Sequence, residues 1–387
     1  MNQRNFKLLK RKALPVLALV SAMGLLLMSS MAYAQSLTPA MVETNIPGVF
    51  AYTQPPAGFN PLTASAAELQ MYGYPPSPGP NASAQDLAKW QAAVNPALKR
   101  VVFNLSQTNR YHRPASGLKI TNSTYATSQD WSGYAVSNST PFPWIFKPGY
   151  FYLAGGSWIV PSVQQAFCTC SGGLDFASQW VGIDGFNDPL LFQAGSIEAA
   201  DCVPGSQPEQ SALYLPFIEW LPGDQVVIYG PNNCTLPFYP GDYIIVYVWA
   251  TNWSNGQSST GNLFFVDITQ HWLVAATFDA SSIGGSCVVG HSAEWIVERP
   301  YVNNALTTLA NYIADPWYSA TAKISTTFWD IRPGDSLGLP SYNITMLDNN
   351  NKPISFVQLF GSDVMWFFDE GSAFSSAPGL GSAFSAP

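Results

Sequence analysis

Two segments carry residue types and spacings that could do chemistry. One is Ser292-Ala293-Glu294-Trp295-Ile296-Val297-Glu298, where an extended backbone puts Glu294, Ile296 and Glu298 on one face. Two carboxyls on one face are costly unless solvated, paired or used. The other runs from Ala177-Ser178-Gln179-Trp180 through Asp184-Gly185 to Gln193-Ala194-Gly195. Better-known catalytic signatures fail. Beyond residue 125 the only histidines are His271 and His291, with no His-Glu-x-x-His pair for zinc. There is no Gly-x-Ser-x-Gly elbow and no Asp-Thr-Gly or Asp-Ser-Gly. Gly334-Asp335-Ser336-Leu337 follows a proline late in the chain and reads as a turn. Cys168-x-Cys170 lacks the spacing of a zinc site and suits a disulfide better. No metal or cofactor is called for.

Five motifs in order then resemble the glutamic peptidases, or eqolisins (family G1), of the scytalidoglutamic and aspergilloglutamic type. They are Asp130-Trp131-Ser132-Gly133-Tyr134, Trp180-Val181-Gly182-Ile183-Asp184-Gly185, Gln193-x-Gly195, Glu219-Trp220 followed by Pro222, and Ala293-Glu294-Trp295-Ile296-Val297-Glu298. The resemblance implies a pepstatin-insensitive acid endopeptidase acting on polypeptides, with Gln193 and Glu298 as its catalytic dyad. Glu298 would draw a proton from a water that attacks the scissile carbonyl. The Gln193 amide would donate to the oxyanion and orient the water. Trp180, Asp184 and Glu219 match positions around the dyad and are expected to support it or contact substrate. Glu294 is either a supporting partner or a structural position. Three positions depart from the pattern: Ile197 and Leu215 stand where acids are expected, and Leu221 where an aromatic is.

The elements that must hold these residues read as strands. Aromatics make up 14% of the chain and charged residues only 10%, which excludes a disordered chain. Short β-branched and aromatic runs recur at Tyr243–Trp249, Asn262–Ile268, Leu273–Phe278, Glu294–Val297, Lys323–Asp330, Tyr342–Leu347 and Ile354–Leu359. Pro-Gly-Asp, Asn-Gly and Gly-Gly turns separate them. Strand after strand without intervening helices predicts an all-β fold, an antiparallel β-sandwich of concanavalin-like jelly-roll type.

Ahead of the sandwich, residues 1–34 read as a signal peptide: five cations, an apolar run from Ala13 to Met28, then Ala32-Tyr33-Ala34. The expectation is a secreted, extracellular monomer with no membrane association after cleavage and no nucleic-acid partner. Residues 35–125 read as a partly helical pro-segment, with a helix near Ser83–Val101 capped by Ser83. Its end, Arg110-Tyr111-His112-Arg113-Pro114, looks cleavable, which puts the mature start between about 113 and 129. The peptidase domain then covers 126–370, and residues 371–387 form a low-complexity tail. The leader holds six cations against three acids, the body five against 21. That asymmetry suggests a pro-segment acting as an intramolecular inhibitor, held partly by charge and loosened as carboxylates protonate. Five cysteines in an exported chain suggest one or two disulfides.

Two rival readings stand beside the peptidase. A β-sandwich glycoside hydrolase would use Glu294 and Glu298 as its pair; they lie two strand steps of about 6.6 Å apart, which fits neither separation well. A non-catalytic carbohydrate-binding sandwich would use its aromatics as a platform, and nothing in it would depend on Glu298.

Overall fold

The computed structural model describes residues 41–79, 82–108, 110–111, 117–139, 149–166, 174–202, 210–326 and 330–369. The proposed signal peptide, the Arg113 cleavage point, Cys168, Cys170 and the tail lie outside them. The described residues fall in one compact unit, so the described part of the leader is not a separate body.

The leader supplies β1 (Met41–Glu43), β2 (Val49–Tyr52), α1 (Ala66–Met71), α2 (Ala84–Ala93), β3 (Lys99–Arg100), β4 (Asn104–Gln107), β5 (Arg110–Tyr111) and β6 (Lys119–Ile120). Ser83 caps α2 by accepting from the Asp86 N–H, as the sequence predicts, but the helix ends at Val94. The body continues with β7 (Tyr125–Ser128), β8 (Trp131–Ser137), β9 (Phe151–Ile159), β10 (Asp175–Ile183), β11 (Phe192–Cys202) and β12 (Gln210–Trp220). Next come β13 (Val226–Tyr229), β14 (Tyr243–Thr251), β15 (Thr260–Asp267), β16 (Trp272–Asp279), β17 (Ser292–Glu298), β18 (Tyr301–Val302) and β19 (Ala305–Leu306). The last are β20 (Ala314–Ile324), β21 (Asp330–Ile331), β22 (Ser341–Leu347), β23 (Pro353–Phe360) and β24 (Val364–Asp369).

Pairing gives two antiparallel layers. The front sheet runs β13-β12-β11-β10-β17-β8-β22. The back sheet runs β20-β9-β14-β15-β16, and the β23–β24 hairpin joins the two layers through β22 and β20. One run from the sequence needs correction: Lys323 and Asp330 do not share a strand. Ala314–Ile324 is the strand, and Asp330 returns beside Lys323 in β21. The run from Ala314 to Ser319 hid this strand because Pro316 and Asp315 break its β texture.

Alternation sorts the side chains into three apolar layers. Val181, Ala194, Trp220, Trp295 and Val297 of the front sheet meet Trp158, Val246, Phe265 and Trp317 of the back sheet in the main core. The front sheet's other face carries Trp131, Trp180, Ile197, Leu215, Phe217 and Ile296. The back sheet's outer face carries Tyr247, Trp249, Phe264 and Val266, covered by Leu69, Tyr72, Trp90 and Val94 of the leader. Cys234 and Cys287 carry free thiols, so the expected disulfides do not involve them.

Candidate functional site

Register fixes where the candidate residues stand. Gly182 of β10 pairs with Gln193 of β11 on one side and Glu294 of β17 on the other. Gln193 in turn pairs with Glu219 of β12. Ser178 of β10 pairs with Glu298. Residues two and four apart along a strand share a face. Gln193, Glu219, Glu294, Glu298 and Trp180 therefore all project from the front sheet's site face. The dyad residues are offset by four positions, roughly 13 Å along the strand direction at about 3.3 Å per residue.

Trp180 spans that offset. Its indole Nε1 donates to Glu298 Oε2 at 2.7 Å. The ring's far edge lies over Gly182, where an added Cβ would come within 2.9 Å of it. A glycine is required there because the indole occupies the space of a side chain. Trp131 packs edge-on against Trp180, centroids 4.8 Å apart. Gln193 is held from its other side: its Nε2 donates to Glu219 Oε2 at 3.0 Å. Gln193, Glu219, Trp180 and Glu298 are all fully buried. Gln193 Oε1, Glu298 Oε1 and both carboxyl oxygens of Glu294 have no hydrogen-bond partner among the described residues. Buried polar atoms left without a partner call for an explanation, and those on the site face are candidates to meet substrate or water.

Electrostatics sets Glu298 apart. Burial pushes its carboxyl well above the ordinary value, and the like charges of Asp130 and Glu219 push further. The indole N–H groups of Trp180 and Trp131 act against this. Asp130 was not among the candidates. It is fully buried and accepts from Ser128 Oγ at 2.5 Å. Its place in the Asp130-Trp131 motif, opposite Glu298 in the β8–β17 pair, was the available signal.

Asp184 and Glu294 stand at the other end of the face. Asp184 sits in the turn after β10 with φ 66°. Its carboxylate accepts three backbone N–H bonds, from Val289 (2.7 Å), Gly290 (3.0 Å) and His291 (2.5 Å). That ties the loop before β17 to the end of β10. Burial nonetheless raises Asp184 to about 6, those three donors opposing. Glu294 is raised well above its usual range by burial and by Asp184 and Asp188, with Ser292 and the Phe186 backbone opposing. Asp184, Asp188 and His291 bring one ligand atom each within 4.8 Å of one another. A cation there would have to compete with the backbone donors on Asp184, and His291 Nδ1 already meets Asp188 Oδ2 at 2.7 Å. The structure thus joins Trp180 to Glu298 and Gln193 to Glu219, places Glu294 level with Gln193 across Gly182, and gives Asp184 to a loop clamp.

The departures at 197 and 215 fall at one place. Ile197 and Leu215 are direct cross-strand partners on the site face, both buried with Phe217 in one apolar cluster. An aliphatic pair there leaves no isolated buried charge.

Similarity to solved structures is slight. An alginate lyase from Klebsiella pneumoniae aligns at 12% identity over 46% of this chain and 61% of its own, with TM-score 0.23. Tailspike protein 2 of an Escherichia coli O157:H7 bacteriophage aligns at 10% identity over 57% of this chain and 27% of its own, also at 0.23. The chain thus spans less than two thirds of either. No curated protein matches it. Residues 129–364 match the Peptidase A4 family. This corrects the label suggested by the motifs: the family shown is Peptidase A4, the name under which the eqolisin or G1 group stands here. Scytalidoglutamic peptidase is itself grouped under A4, so the correction touches the label and no residue. The match covers well over half of the sequence and all of the site strands, and the chain belongs to the Peptidase A4 family.

Proposed function

We propose that this peptidase is a secreted acid endopeptidase, made as a zymogen, that hydrolyses peptide bonds with Glu298 and Gln193. The observation that carries the reading is the pair of buried, unengaged oxygens, Gln193 Oε1 and Glu298 Oε1, on one face with Trp180 between their side chains. Substrate carbonyl and water would sit over that indole. Glu298, ionised, takes a proton from the water, whose oxygen bonds to the carbonyl carbon. Glu219 holds one N–H of Gln193, so the amide is fixed and its other N–H donates to the oxyanion. As the C–N bond breaks, Glu298 returns its proton to the leaving amine.

Secretion rests on the composition of residues 1–34. The zymogen reading rests on burial: Gln193, Glu219 and Glu298 are fully covered in the chain that includes the leader. The leader's β5 pairs with β18, which begins three residues after Glu298, so the leader's end passes the site. The glycosidase reading would need Glu294 and Glu298 to reach one sugar across four strand positions, roughly 13 Å. The test is hydrolysis of a protein substrate at acid pH by wild type, Glu298→Gln and Gln193→Ala. The proposal expects near-total loss in the first variant and a large loss in the second. Undiminished proteolysis in either removes that residue from the mechanism.

A further inference from the structure

The leader is built into the sandwich more deeply than a removable inhibitor needs to be. Its β2 pairs with β16, register Val49↔Phe278, and closes the free edge of the back sheet. Its β4 pairs with β13, register Leu105↔Ile228, and closes the far edge of the front sheet. An uncovered edge strand invites pairing with other chains. Val49, Ala51, Phe103 and Leu105 are members of the main core between the sheets.

The outer face of the back sheet depends on the leader as well. Leu69, Tyr72, Trp90 and Val94 cover Tyr247, Trp249, Phe264 and Val266. Bared, these side chains would form a contiguous apolar patch of the kind soluble monomers avoid. Beneath α2 lies a buried polar lock. Arg332 donates to Asp86 through Nε at 3.0 Å and also through Nη2. Lys89 Nζ donates to Thr321 Oγ1 at 2.8 Å. Asp86 and Lys89 are 2% and 5% exposed, so solvent and salt reach neither. The lock pairs an acid of the leader with a base of the body. The sequence had suggested the opposite polarity as the main tie.

We infer that residues 41–107 are a permanent layer of this enzyme: cut beyond them, the leader stays seated as a second polypeptide. Activation would then open the chain near the site without stripping the fold.

The test uses the full chain carrying Glu298→Gln, so that its own proteolysis plays no part. A recognition site for a specific protease is inserted in the exposed Asn122–Thr124 turn, and the chain is cut there. Native mass spectrometry and size exclusion should show one particle, with two polypeptides appearing only in denaturant. Trp90→Ala with Asp86→Ala should raise the leader's dissociation constant at least about 100-fold, since a buried pair is broken and a core ring removed. Should that variant fail to fold, Thr321→Val is milder and should raise it about tenfold, one lost hydrogen bond to a charged group. The inference is overturned if the leader of the parent separates from a folded body, or if these substitutions leave its affinity unchanged. Release of the leader would leave the peptidase reading untouched.

Discussion

Strands β10, β11 and β12 carry two Gln/Glu pairs, one on each face. On the site face Gln193 bonds Glu219, with Glu298 nearby. On the inner face Gln179 lies against Glu198 beneath the stacked rings of Trp158 and Trp317, centroids 4.3 Å apart. With its amide turned to suit both neighbours, Gln179 donates to Glu198 Oε1 at 2.9 Å. All of these side chains are fully buried, and burial drives both Glu198 and Glu298 well above the ordinary range. Burial and a raised pKa therefore do not separate a site from a core. What separates them is satisfaction. The inner pair is closed by a hydrogen bond, a serine and tryptophan rings, whereas the outer set keeps two oxygens unengaged.

Exchanging carboxyl for amide on each face gives the sharpest contrast. Glu298→Gln should lower kcat/KM on a protein substrate by about 10³ or more, since the general base is lost. Glu198→Gln should leave kcat/KM within about threefold and act on thermal stability instead. Comparable activity losses in both variants would break the distinction. Gln193→Ala comes next, at about 10²–10³ in kcat, the usual cost of one oxyanion donor. The same substitution at Gln179 should cost stability and little rate.

How much of this the sequence showed depends on which physical signal each feature left. The strand bearing Glu294, Ile296 and Glu298 was legible because period-2 alternation reports facing directly. The proposed pairing of Gln193 with Glu298 came only from likeness to a family, since no local pattern reveals that two strands are separated by a third. Strand β20 was misjudged because Asp315 and Pro316 imitate a turn. Asp315 tolerates burial there because Trp317 Nε1 donates to it at 2.9 Å. The leader's integration was invisible: its strands are two to four residues long and draw stability from pairing with the body. Charge counts suggested a basic strap, yet the decisive ion pair has the leader supplying the acid.

The buried acids of both faces set a pH dependence, and Asp315 on the inner face gives a way to test it apart from the site. Burial raises Asp315 to about 8 and Glu198 well above its usual range, with Asp315 adding to the latter. Unfolded, such groups titrate near 4. The folded state therefore holds protons that the unfolded state has lost. Their stabilising contribution is complete below about pH 4 and disappears as pH rises toward 8. Melting temperature should fall across that window. Asp315→Asn, which keeps the shape without the titration, should flatten the fall by about a few kcal/mol over the range. A profile with the same slope in wild type and variant would show that the inner acids are not what ties this fold to acid.

Glu294 offers the finest division, because it shares a strand and a face with Glu298. If facing alone made a residue catalytic, Glu294→Gln would be as damaging as Glu298→Gln. Its surroundings differ: its two oxygens are also unengaged, but the charges acting on it are those of Asp184 and Asp188, and Asp184 holds the loop at Val289–His291. An amide at 294 keeps the shape and relieves the repulsion from Asp184 and Asp188. We expect kcat to fall by less than about tenfold, within the range of a neutral hydrogen-bond change. Stability near neutral pH should rise slightly, since one fewer buried acid must hold its proton. A loss matching that of Glu298→Gln would move the working carboxyl one row along β17, to the position level with Gln193 across Gly182.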